Sequence, residues 1–420
     1  MRVLVLGAGV AGVATAYFLH TQGHEVTVLD RQAGPALETS FANAGHMCPS
    51  YATPWAAPGM KLKAARWIAA AWLLRHDTPL RYTPRIDPHQ WRWLKRWLGE
   101  CNAERYAANK ARMGRIARYS HAQLVTLREH LGISYQQTTR GNLQVFRDQA
   151  GLDNAGLAAR VLQQSDVPHQ LMNVDACLAF EPALARDAIA GGLLLPRDET
   201  GDCRMFAEGL AGWLAARGVS FRYNTSALTM RSESGRIAAI ATSAGTLSAD
   251  AYVMACASDS VGLCRSLGIN LPVMPVKGFS ITVPIADRTR APQGGIMDEA
   301  LKVAIAPMGD TLRAAGTAQI GSRDATVRPA DCNTPRHSLA TLFPGAAAMA
   351  QARHWAGLRP MTPDGAPIVG GTNYPNLFLA TGGGSNGWTT ACGVGRLAAD
   401  AVSDRPSEIA AAEFSVARFA

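Results

Sequence analysis

The first thirty residues alternate between short apolar runs and turns of polar or small residues. The run Arg2 to Leu6 predicts a buried strand, Val13 to Thr21 predicts a helix, and Glu25 to Leu29 predicts a second strand. Strand, helix and strand joined by such short connections are typical of a parallel sheet covered by helices. The N-terminal region is therefore predicted to have an α/β fold.

The turn between the first strand and the helix is rich in glycine and reads Gly7-Ala8-Gly9-Val10-Ala11-Gly12. In this spacing Gly7 allows a tight turn, Gly9 lets backbone amides approach a pyrophosphate, and Gly12 packs the helix against the strand. Asp30 follows the second strand, where its carboxylate can accept hydrogen bonds from a ribose diol. The pattern predicts a site for NAD or FAD, and a glycine turn that binds no nucleotide is the alternative.

A second glycine-rich turn, Gly382 to Thr390, lies near the other end of the chain. It follows a strand predicted over 376–381 and precedes a helix predicted to begin near Ala391. Two further segments, 218–225 and 251–257, are predicted to add strands beside the nucleotide. Turns at opposite ends of the chain suit a long cofactor, with its pyrophosphate at the first turn and a flavin ring near the second. An ordinary loop is the alternative for the second turn.

The composition is that of a globular enzyme. A chain of 420 residues suits two packed domains, and 48% hydrophobic with 17% charged residues excludes a fibrous or disordered protein. The eight cysteines are far apart and form no C-x-x-C pair, so no metal site is predicted. The chain begins with a strand instead of a charged leader, and no apolar run is long enough to span a membrane. We therefore expect a cytoplasmic protein, or one that is peripheral on the cytoplasmic face of the inner membrane.

The net charge of +9 is concentrated in one basic, tryptophan-rich segment. Nine Lys or Arg residues against two Asp residues between Lys61 and Trp97 give a local excess of +7, and five of the nine tryptophans share this stretch. A helix over Lys61 to Arg75 would carry a broad apolar face made by Trp67, Ile68, Ala71, Trp72 and Leu74. The segment predicts either a helix that contacts an anionic membrane surface or an internal helix whose tryptophans belong to the core.

Several long motifs make the chain similar to one family over nearly its full length. They are Ala36 to Gly45, Tyr51 to Gly59, Asp198 to Cys203, Val276 to Ser280, Gly357 to Gly365 and Ser415 to Arg418. With them the chain resembles the FAD-dependent D-amino acid dehydrogenases of the small subunit type, within the D-amino-acid/glycine/sarcosine oxidase superfamily. The resemblance implies a Rossmann-type FAD-binding domain with a second, mixed-sheet α+β substrate domain. We expect 1–55, 195–265 and 355–420 to form the split FAD-binding domain, and 56–194 and 266–354 to form the substrate domain.

The resemblance also implies roles for particular residues. Arg359 is expected to clamp a substrate carboxylate, because a planar guanidinium makes two parallel hydrogen bonds that an ammonium cannot make. The alternative is that Arg359 pairs with Asp364 and braces the loop. His46 is expected to shape the pocket or to help deprotonate an incoming ammonium, and Tyr51 and Lys277 complete the catalytic group. The residues expected to contact FAD are Gly7, Gly9, Val10, Ala11, Gly12, Asp30, Arg31, Ser40, Asn43, Ala44, Gly45, Ala227, Ala255, Gly357, Gly384, Asn386, Gly387, Trp388 and Thr389.

The function implied is oxidative deamination of D-amino acids to 2-oxo acids and ammonia, with hydride transfer to the flavin. Electrons would then pass to a quinone or another respiratory acceptor. The expected partners are a D-amino acid, this acceptor and an anionic membrane surface, and no nucleic acid. An oxygen-using oxidase of glycine, sarcosine or a D-imino acid such as D-hydroxyproline is one alternative. A noncatalytic nucleotide-binding protein that uses the basic segment for interactions is the other.

Overall fold

The structure is a computed structural model that describes residues 1–73, 78–164 and 167–420. The α-helices in these ranges are α1 (Val10–Thr21), α2 (Met60–Leu73), α3 (Pro88–Glu100), α4 (Ala103–Leu131), α5 (Gln149–Gln164), α6 (Val174–Phe180), α7 (Cys203–Ala215), α8 (Ser260–Arg265), α9 (Asn333–Leu342) and α10 (Gly387–Val402).

The strands are β1 (Arg2–Leu6), β2 (Glu25–Leu29), β3 (His46–Met47), β4 (Leu80–Tyr82), β5 (Asn142–Phe146), β6 (Gln170–Met172), β7 (Gly191–Leu195), β8 (Glu199–Thr200), β9 (Ser220–Arg222), β10 (Ala227–Glu233), β11 (Arg236–Thr242), β12 (Gly245–Leu247), β13 (Ala251–Met254), β14 (Met274–Pro284), β15 (Gly295–Asp298), β16 (Val303–Met308), β17 (Thr311–Ile320), β18 (Arg353–Met361), β19 (Ile368–Gly371) and β20 (Leu377–Thr381).

One sheet contains the N-terminal strand at its centre. Its strand order is β19-β20-β13-β1-β2-β9, and only the pairing of β19 with β20 is antiparallel. Because side chains alternate along a strand, Val3 and Val5 of β1 pack with helices α1, α7 and α10, whereas Leu4 and Leu6 pack beneath the small β10-β11-β12 sheet. A parallel sheet buried on both faces is the α/β arrangement that the N-terminal pattern predicted.

The other large sheet is mixed. Its strand order is β18-β14-β17-β16-β15-β5-β7-β6, with β4 pairing beside β17. Helix α9 and part of α6 cover one face, where Phe279, Ile281 and Leu339 lie in a common apolar core. The opposite face lines a large cavity shared with the first sheet. This sheet therefore forms the floor of the candidate site.

The domain limits predicted from the sequence stay a prediction, and two elements cross them. All six strands of the first sheet lie within 1–55, 195–265 and 355–420, the segments predicted for the FAD-binding domain. However, β18 begins at Arg353 and pairs with β14 of the mixed sheet through Met361. Helix α4, expected in the substrate domain, packs against α10, because its residues Met113 and Ile116 are buried in the core of the first sheet.

Both helices that follow glycine-rich turns begin earlier than the sequence predicted. Helix α1 begins at Val10 instead of Val13, and α10 begins at Gly387 instead of Ala391. The first N–H groups of a helix have no partner within the helix, and that of Val10 donates to the Ser40 hydroxyl at 3.2 Å. These early starts place helix N-terminal amide groups beside the two glycine turns.

Candidate active site

The glycine turn after β1 is shaped by close backbone packing. Gly7 has φ +105°, and a Cβ there would lie 2.6 Å from the carbonyl oxygen of Ala255. A Cβ at Gly12 would overlap with the carbonyl oxygen of Gly7, so this glycine serves the turn itself. Gly9 differs, because its Cβ would meet only the Ser40 hydroxyl, at 3.6 Å, and the residue faces an open cavity.

A cavity of about 350 Å³ lies beside this turn and the end of β2. Asp30 lines it, accepting hydrogen bonds from the backbone N–H groups of Ala8 at 2.6 Å and Gln32 at 2.8 Å. Burial raises the pKa of Asp30, while these two N–H groups act in the opposite direction by stabilising its carboxylate. The carboxylate is therefore held rigidly at the position expected for a ribose partner.

Charged side chains form the rim of the same cavity. Arg31 pairs with Glu38 at 2.5 Å and with Asp259 at 2.8 Å. Hydrogen bonding to Glu38 is the main reason that the pKa of Arg31 is raised. Ala227, at the start of β10, also lines this space. Sequence reasoning placed Arg31 and Ala227 here but missed Asp259 and also Glu38, which lies inside the motif Ala36 to Gly45.

A larger cavity, of about 770 Å³, continues from the first. Both are lined by Gly9, Thr39, Ser40, Ala255 and Ala257, so together they form one elongated space. The space runs from Asp30 past the glycine turn to the N-terminus of α10. Its length and its two ends suit a dinucleotide cofactor that carries a flavin.

The second glycine turn closes the far end of this space. Gly384 has φ +56°, and Asn386, Gly387, Trp388 and Thr389 line the cavity beside it. The hydroxyl of Thr389 accepts a hydrogen bond from the backbone N–H of Cys48 at 3.1 Å. This bond joins α10 to the segment that follows the predicted flavin-contacting loop.

The predicted cofactor residues come together in this elongated space. All of them except Gly12 line one of the two cavities, and their contact with FAD stays a prediction. Gly357, which is distant in sequence from both glycine turns, lies on β18 where this strand borders the cavity.

The floor of the large cavity is a row of side chains that crosses four strands of the mixed sheet. Ala315 lies opposite Ala304, Ala304 opposite Met297, and Met297 opposite Gln144. All four line the cavity, and the two alanines leave room above the sheet. Sequence reasoning missed this row, because strand alternation does not reveal which face of a strand borders a cavity.

Arg359 lies on β18 at one end of this floor. Its guanidinium lies against Gly278, where any Cβ would overlap with it, and donates a hydrogen bond to the carbonyl of Thr317 at 3.3 Å. Within the described ranges no carboxylate lies within ion-pair distance of it. Burial lowers the pKa of Arg359 to about 10, which still leaves it a cation at neutral pH. A half-buried cation without an anion gains from pairing, so the Arg359 guanidinium is placed to bind a negative group of a ligand.

The alternative role of Arg359, a brace paired with Asp364, is wrong. Asp364 is buried and pairs instead with Arg112 of α4 at 3.1 Å and with Arg418 near the C-terminus at 2.7 Å. Asp364 therefore does form ion pairs that brace its loop, but with Arg112 and Arg418. Arg359 therefore remains free to face the cavity.

His46 lines the cavity with both ring nitrogens occupied. Its Nε2 lies 3.1 Å from the carbonyl oxygen of Ile305, and its Nδ1 accepts from the side-chain amide of Asn142 at 3.1 Å. Since a carbonyl can only accept, the proton lies on Nε2. Burial lowers the pKa of His46 to about 4. A neutral ring with no free lone pair shapes the wall and does not act as a base toward an ammonium group.

The other two predicted catalytic residues differ in position. Tyr51 lines the cavity, and burial raises the pKa of its hydroxyl, so it stays protonated. Lys277 is buried outside the cavity lining, where its amine pairs with Asp324 at 3.2 Å. Gly278 and Phe279, the next two residues of β14, do line the cavity. The structure thus leaves Lys277 outside the cavity lining, and its catalytic role stays a prediction.

Comparison with known proteins identifies the family. The family described as DAO, FAD dependent oxidoreductase, matches residues 2–401. D-amino acid dehydrogenase 1 of Mesorhizobium japonicum is 50% identical over 421 residues, which cover both chains completely. D-amino acid dehydrogenase of Bradyrhizobium diazoefficiens is 48% identical over 422 residues, covering 100% of this chain and 99% of the relative. The chain belongs to the DAO family of FAD dependent oxidoreductases.

Solved structures confirm the predicted fold class of this DAO-family chain. Glycine oxidase from Geobacillus kaustophilus superposes with a TM-score of 0.77 at 23% identity, covering 99% of this chain and 98% of the other. L-proline dehydrogenase from P. horikoshii has a TM-score of 0.74 at 16% identity, with coverages of 100% and 97%. At these identities the likeness concerns the fold alone.

Membership of the DAO family confirms FAD as the cofactor. The glycine turn alone was compatible with either NAD or FAD. The structure fits this cofactor, since Gly9 and Ser40 border both cavities and the Asp30 carboxylate lies at the nucleoside end. When bound, FAD supplies an acceptor for a hydride. The noncatalytic alternative is thereby overturned.

The brace at Asp364 gives a prediction about stability. Replacing Asp364 with Ala leaves Arg112 and the nearly buried Arg418 without their anion, and should lower the free energy of unfolding by about 3 to 5 kcal/mol. Thermal unfolding of the FAD-loaded protein measures the effect. Glu208→Ala, which removes an exposed partner of Arg204, is the control and should have little effect. Equal melting temperatures for the two variants would contradict the prediction.

Proposed function

We propose that this DAO-family chain is a D-amino acid dehydrogenase, which converts D-amino acids to 2-oxo acids and ammonia. The observation that carries the proposal is the guanidinium of Arg359, which is half-buried at one end of the FAD cavity without a carboxylate partner among the described residues. An amino acid brings the carboxylate that this cation lacks. The two relatives at 50% and 48% identity, both named as D-amino acid dehydrogenases, support the same substrate class.

The residues of the cavity supply position and enclosure. Two parallel hydrogen bonds from Arg359 would fix the plane of the substrate carboxylate and hold Cα–H at a near-attack distance. Tyr51, Trp388 and the neutral ring of His46 wall the space and exclude water from it. Because His46 has no free lone pair, the substrate amine must enter in its neutral form. Water then converts the imino acid to the 2-oxo acid and ammonia.

Anaerobic mixing with amino acids tests this substrate assignment. Purified holoenzyme is mixed with a panel of D- and L-amino acids, glycine and sarcosine while the flavin absorbance is followed. D-amino acids should bleach the flavin and their L-enantiomers should not. Bleaching by glycine or sarcosine alone, or by L-amino acids, would contradict the proposal. Admitting oxygen afterwards and measuring peroxide tests the oxidase alternative.

The electron acceptor that we propose is a quinone, reached at an anionic membrane surface. The exposed side of α2, α3 and the segment before α3 carries four large apolar side chains. They are Leu62 at 60% exposure, Ile86 at 105%, Trp91 at 54% and Leu98 at 42%. Exposed cations surround them, namely Lys61, Lys63, Arg66, Arg85, Arg92, Lys95 and Arg96. Apolar side chains among cations are typical of a surface that contacts anionic lipid, and we call these eleven residues the basic apolar patch.

This patch is not the face that the sequence analysis assigned to the membrane. Trp67 and Ile68 turn inward and pack against an apolar cluster that includes Ala64 and Trp93. For these residues the internal alternative is therefore the correct one. Leu74 and the side chains of Ala71 and Trp72 lie outside the described residues. No helix in the described part of the chain is long and apolar enough to cross a membrane.

Membrane contact gives a further prediction. The double variant Ile86→Ser, Leu98→Ser should weaken binding to vesicles that contain anionic lipid by about tenfold or more, because each exposed aliphatic side chain contributes roughly 1 kcal/mol or more on burial. Co-sedimentation with the vesicles measures the loss, and turnover with a soluble dye should be unchanged. Leu157→Ser, Leu228→Ser changes two leucines that are each 60% exposed elsewhere, and should bind like the parent. Equal binding by both double variants would contradict the assignment of the patch.

A further inference from the structure

One end of the large cavity differs in chemistry from the rest. Beside Arg359, the space is enclosed by helices α2 and α3 and lined by aromatic and aliphatic side chains. These include Trp55, Trp67, Ile68, Trp93, Leu94 and Trp97. We call this end the tryptophan chamber. The carboxylate clamp uses the charged group of Arg359, and these six apolar side chains take no part in it.

The chamber has the features of a site for a flat conjugated ring. The rings of Trp93 and Trp97 are nearly parallel, with an interplanar angle of 10° and centroids 6.5 Å apart. Trp93 is held in place by a hydrogen bond from its indole N–H to the carbonyl of Met361, two residues beyond Arg359 on β18. Such aromatic surfaces favour offset stacking with another planar ring.

One polar atom in the chamber lacks a partner. The indole N–H of Trp97 is buried and donates no hydrogen bond to any described group. A buried donor without an acceptor costs free energy, which a ligand carbonyl would recover. The chamber thus combines aromatic walls with a donor, and a planar ring that carries carbonyl oxygens matches both.

The chamber opens onto the basic apolar patch. Trp91 belongs to both, because it lines the cavity and is also 54% exposed. Lys63 lies over the ring of Trp67 at 5.0 Å, so a cation borders the aromatic wall on the α2 side. A passage whose walls are apolar and whose mouth carries apolar and cationic side chains suits a ligand that arrives from an anionic bilayer.

We propose that the tryptophan chamber binds the ring of a membrane quinone and is the place where the enzyme is reoxidised. Reduced FAD, when bound, would supply two electrons and one proton, and a second proton would come from water, so that both ring carbonyls of the quinone become hydroxyls and a quinol is released. The oxidised cofactor would then be available for the next amino acid. The inference rests on the proposed function, since a D-amino acid must first deliver these electrons.

A pair of variants on α2 tests the chamber. Ala64 is buried and lines the cavity, whereas its neighbour Ala65 is exposed, so Ala64→Phe narrows the chamber and Ala65→Phe is the matched control. Each holoenzyme is bleached anaerobically with D-alanine and then mixed with a short-tailed quinone or with a small soluble dye. Ala64→Phe should slow reoxidation by the quinone by about tenfold or more, because the added ring would occupy space that the quinone ring needs. Bleaching by D-alanine and reoxidation by the dye should change little in either variant.

A binding measurement is independent of turnover. Photolysis with an azido-quinone should label peptides from Met60–Leu73 or Pro88–Glu100 in the parent, and label them less in Ala64→Phe. If Ala64→Phe fails to fold, Ile68→Phe narrows the same chamber from the next turn of α2. Absence of bleaching by any D-amino acid in the parent would overturn the proposed function.

Other outcomes would overturn the proposed quinone site but leave the proposed function intact. If D-alanine bleaches the flavin normally, an unchanged rate of reoxidation by the quinone in Ala64→Phe would contradict the quinone site. Photolabelling of peptides elsewhere in the chain would also contradict it. If Ala64→Phe lost flavin bleaching by D-phenylalanine but kept normal reoxidation by the quinone, the chamber would bind the substrate side chain and not a quinone. Equal loss of bleaching by D-alanine and of quinone reoxidation would also contradict a separate quinone site.

Discussion

Arg359→Lys should lower kcat/KM for D-amino acids by about one to two orders of magnitude, the equivalent of one charge-assisted hydrogen bond worth roughly 1.5 to 3 kcal/mol. Lysine keeps the charge but cannot make two parallel hydrogen bonds, so the carboxylate loses its fixed plane and Cα–H is poorly aimed. FAD content and melting temperature should barely move, because Arg359 pairs with no carboxylate in the described structure. Stopped-flow flavin reduction, FAD content and thermal unfolding are measured on one preparation.

Gly278→Ala tests whether the position of the Arg359 guanidinium matters, because this variant leaves the charge unchanged. A methyl group at Gly278 would overlap with the Arg359 guanidinium, so this variant should displace the clamp while every charge remains. Its rate of flavin reduction should fall as in Arg359→Lys. Gly371→Ala, at an exposed glycine with open space around its Cβ position, is the matched control. Reduction near the parental rate in Arg359→Lys would contradict the clamp.

Gly9→Val should abolish FAD binding without unfolding the protein. Gly9 has φ −66° and ψ 172°, which valine adopts readily, and the position is open apart from the Ser40 hydroxyl. The branched side chain would therefore project into the cavity where the backbone must approach the pyrophosphate. Absorbance of the purified variant measures FAD content, and circular dichroism measures folding.

Gly12→Val provides the contrast. Its side chain would overlap with the carbonyl oxygen of Gly7, so this variant should lose folded protein as well as FAD. Gly371→Val, at the open exposed glycine, should retain both. A folded Gly9→Val protein with stoichiometric FAD would show that the turn does not carry the pyrophosphate.

Local sequence predicted the first half of the cofactor cradle well. The bounds predicted for β1 and β2 agree with the structure, and Asp30 lies where β2 ends. These features follow from backbone rules that act over a few residues: alternation along strands, φ near +105° at Gly7, and close packing at Gly12. The second glycine turn was also found, although the start of its helix was not.

Contacts between distant residues were harder to predict. Lys277 lies next to Gly278 in a motif of the family, yet only the glycine reaches the cavity. Asp364 was the alternative partner considered for Arg359, and it instead joins Arg112 and Arg418, which are 252 and 54 residues away. Charge identifies which groups can pair, but the packing of helix and chain terminus selects the partners.

The sequence by itself determined the α/β class, the dinucleotide turn and, through family resemblance, the identity of Arg359 as the candidate clamp. The tertiary structure alone decided which faces are used. The Ile305 carbonyl and the Asn142 amide meet the two ring nitrogens of His46 and fix its proton on Nε2. Trp67 turns inward, while Ile86 and Leu98 remain exposed. The physical reason is that a periodic pattern specifies two faces of a strand or helix, whereas burial of a given face depends on elements distant in sequence that pack against it.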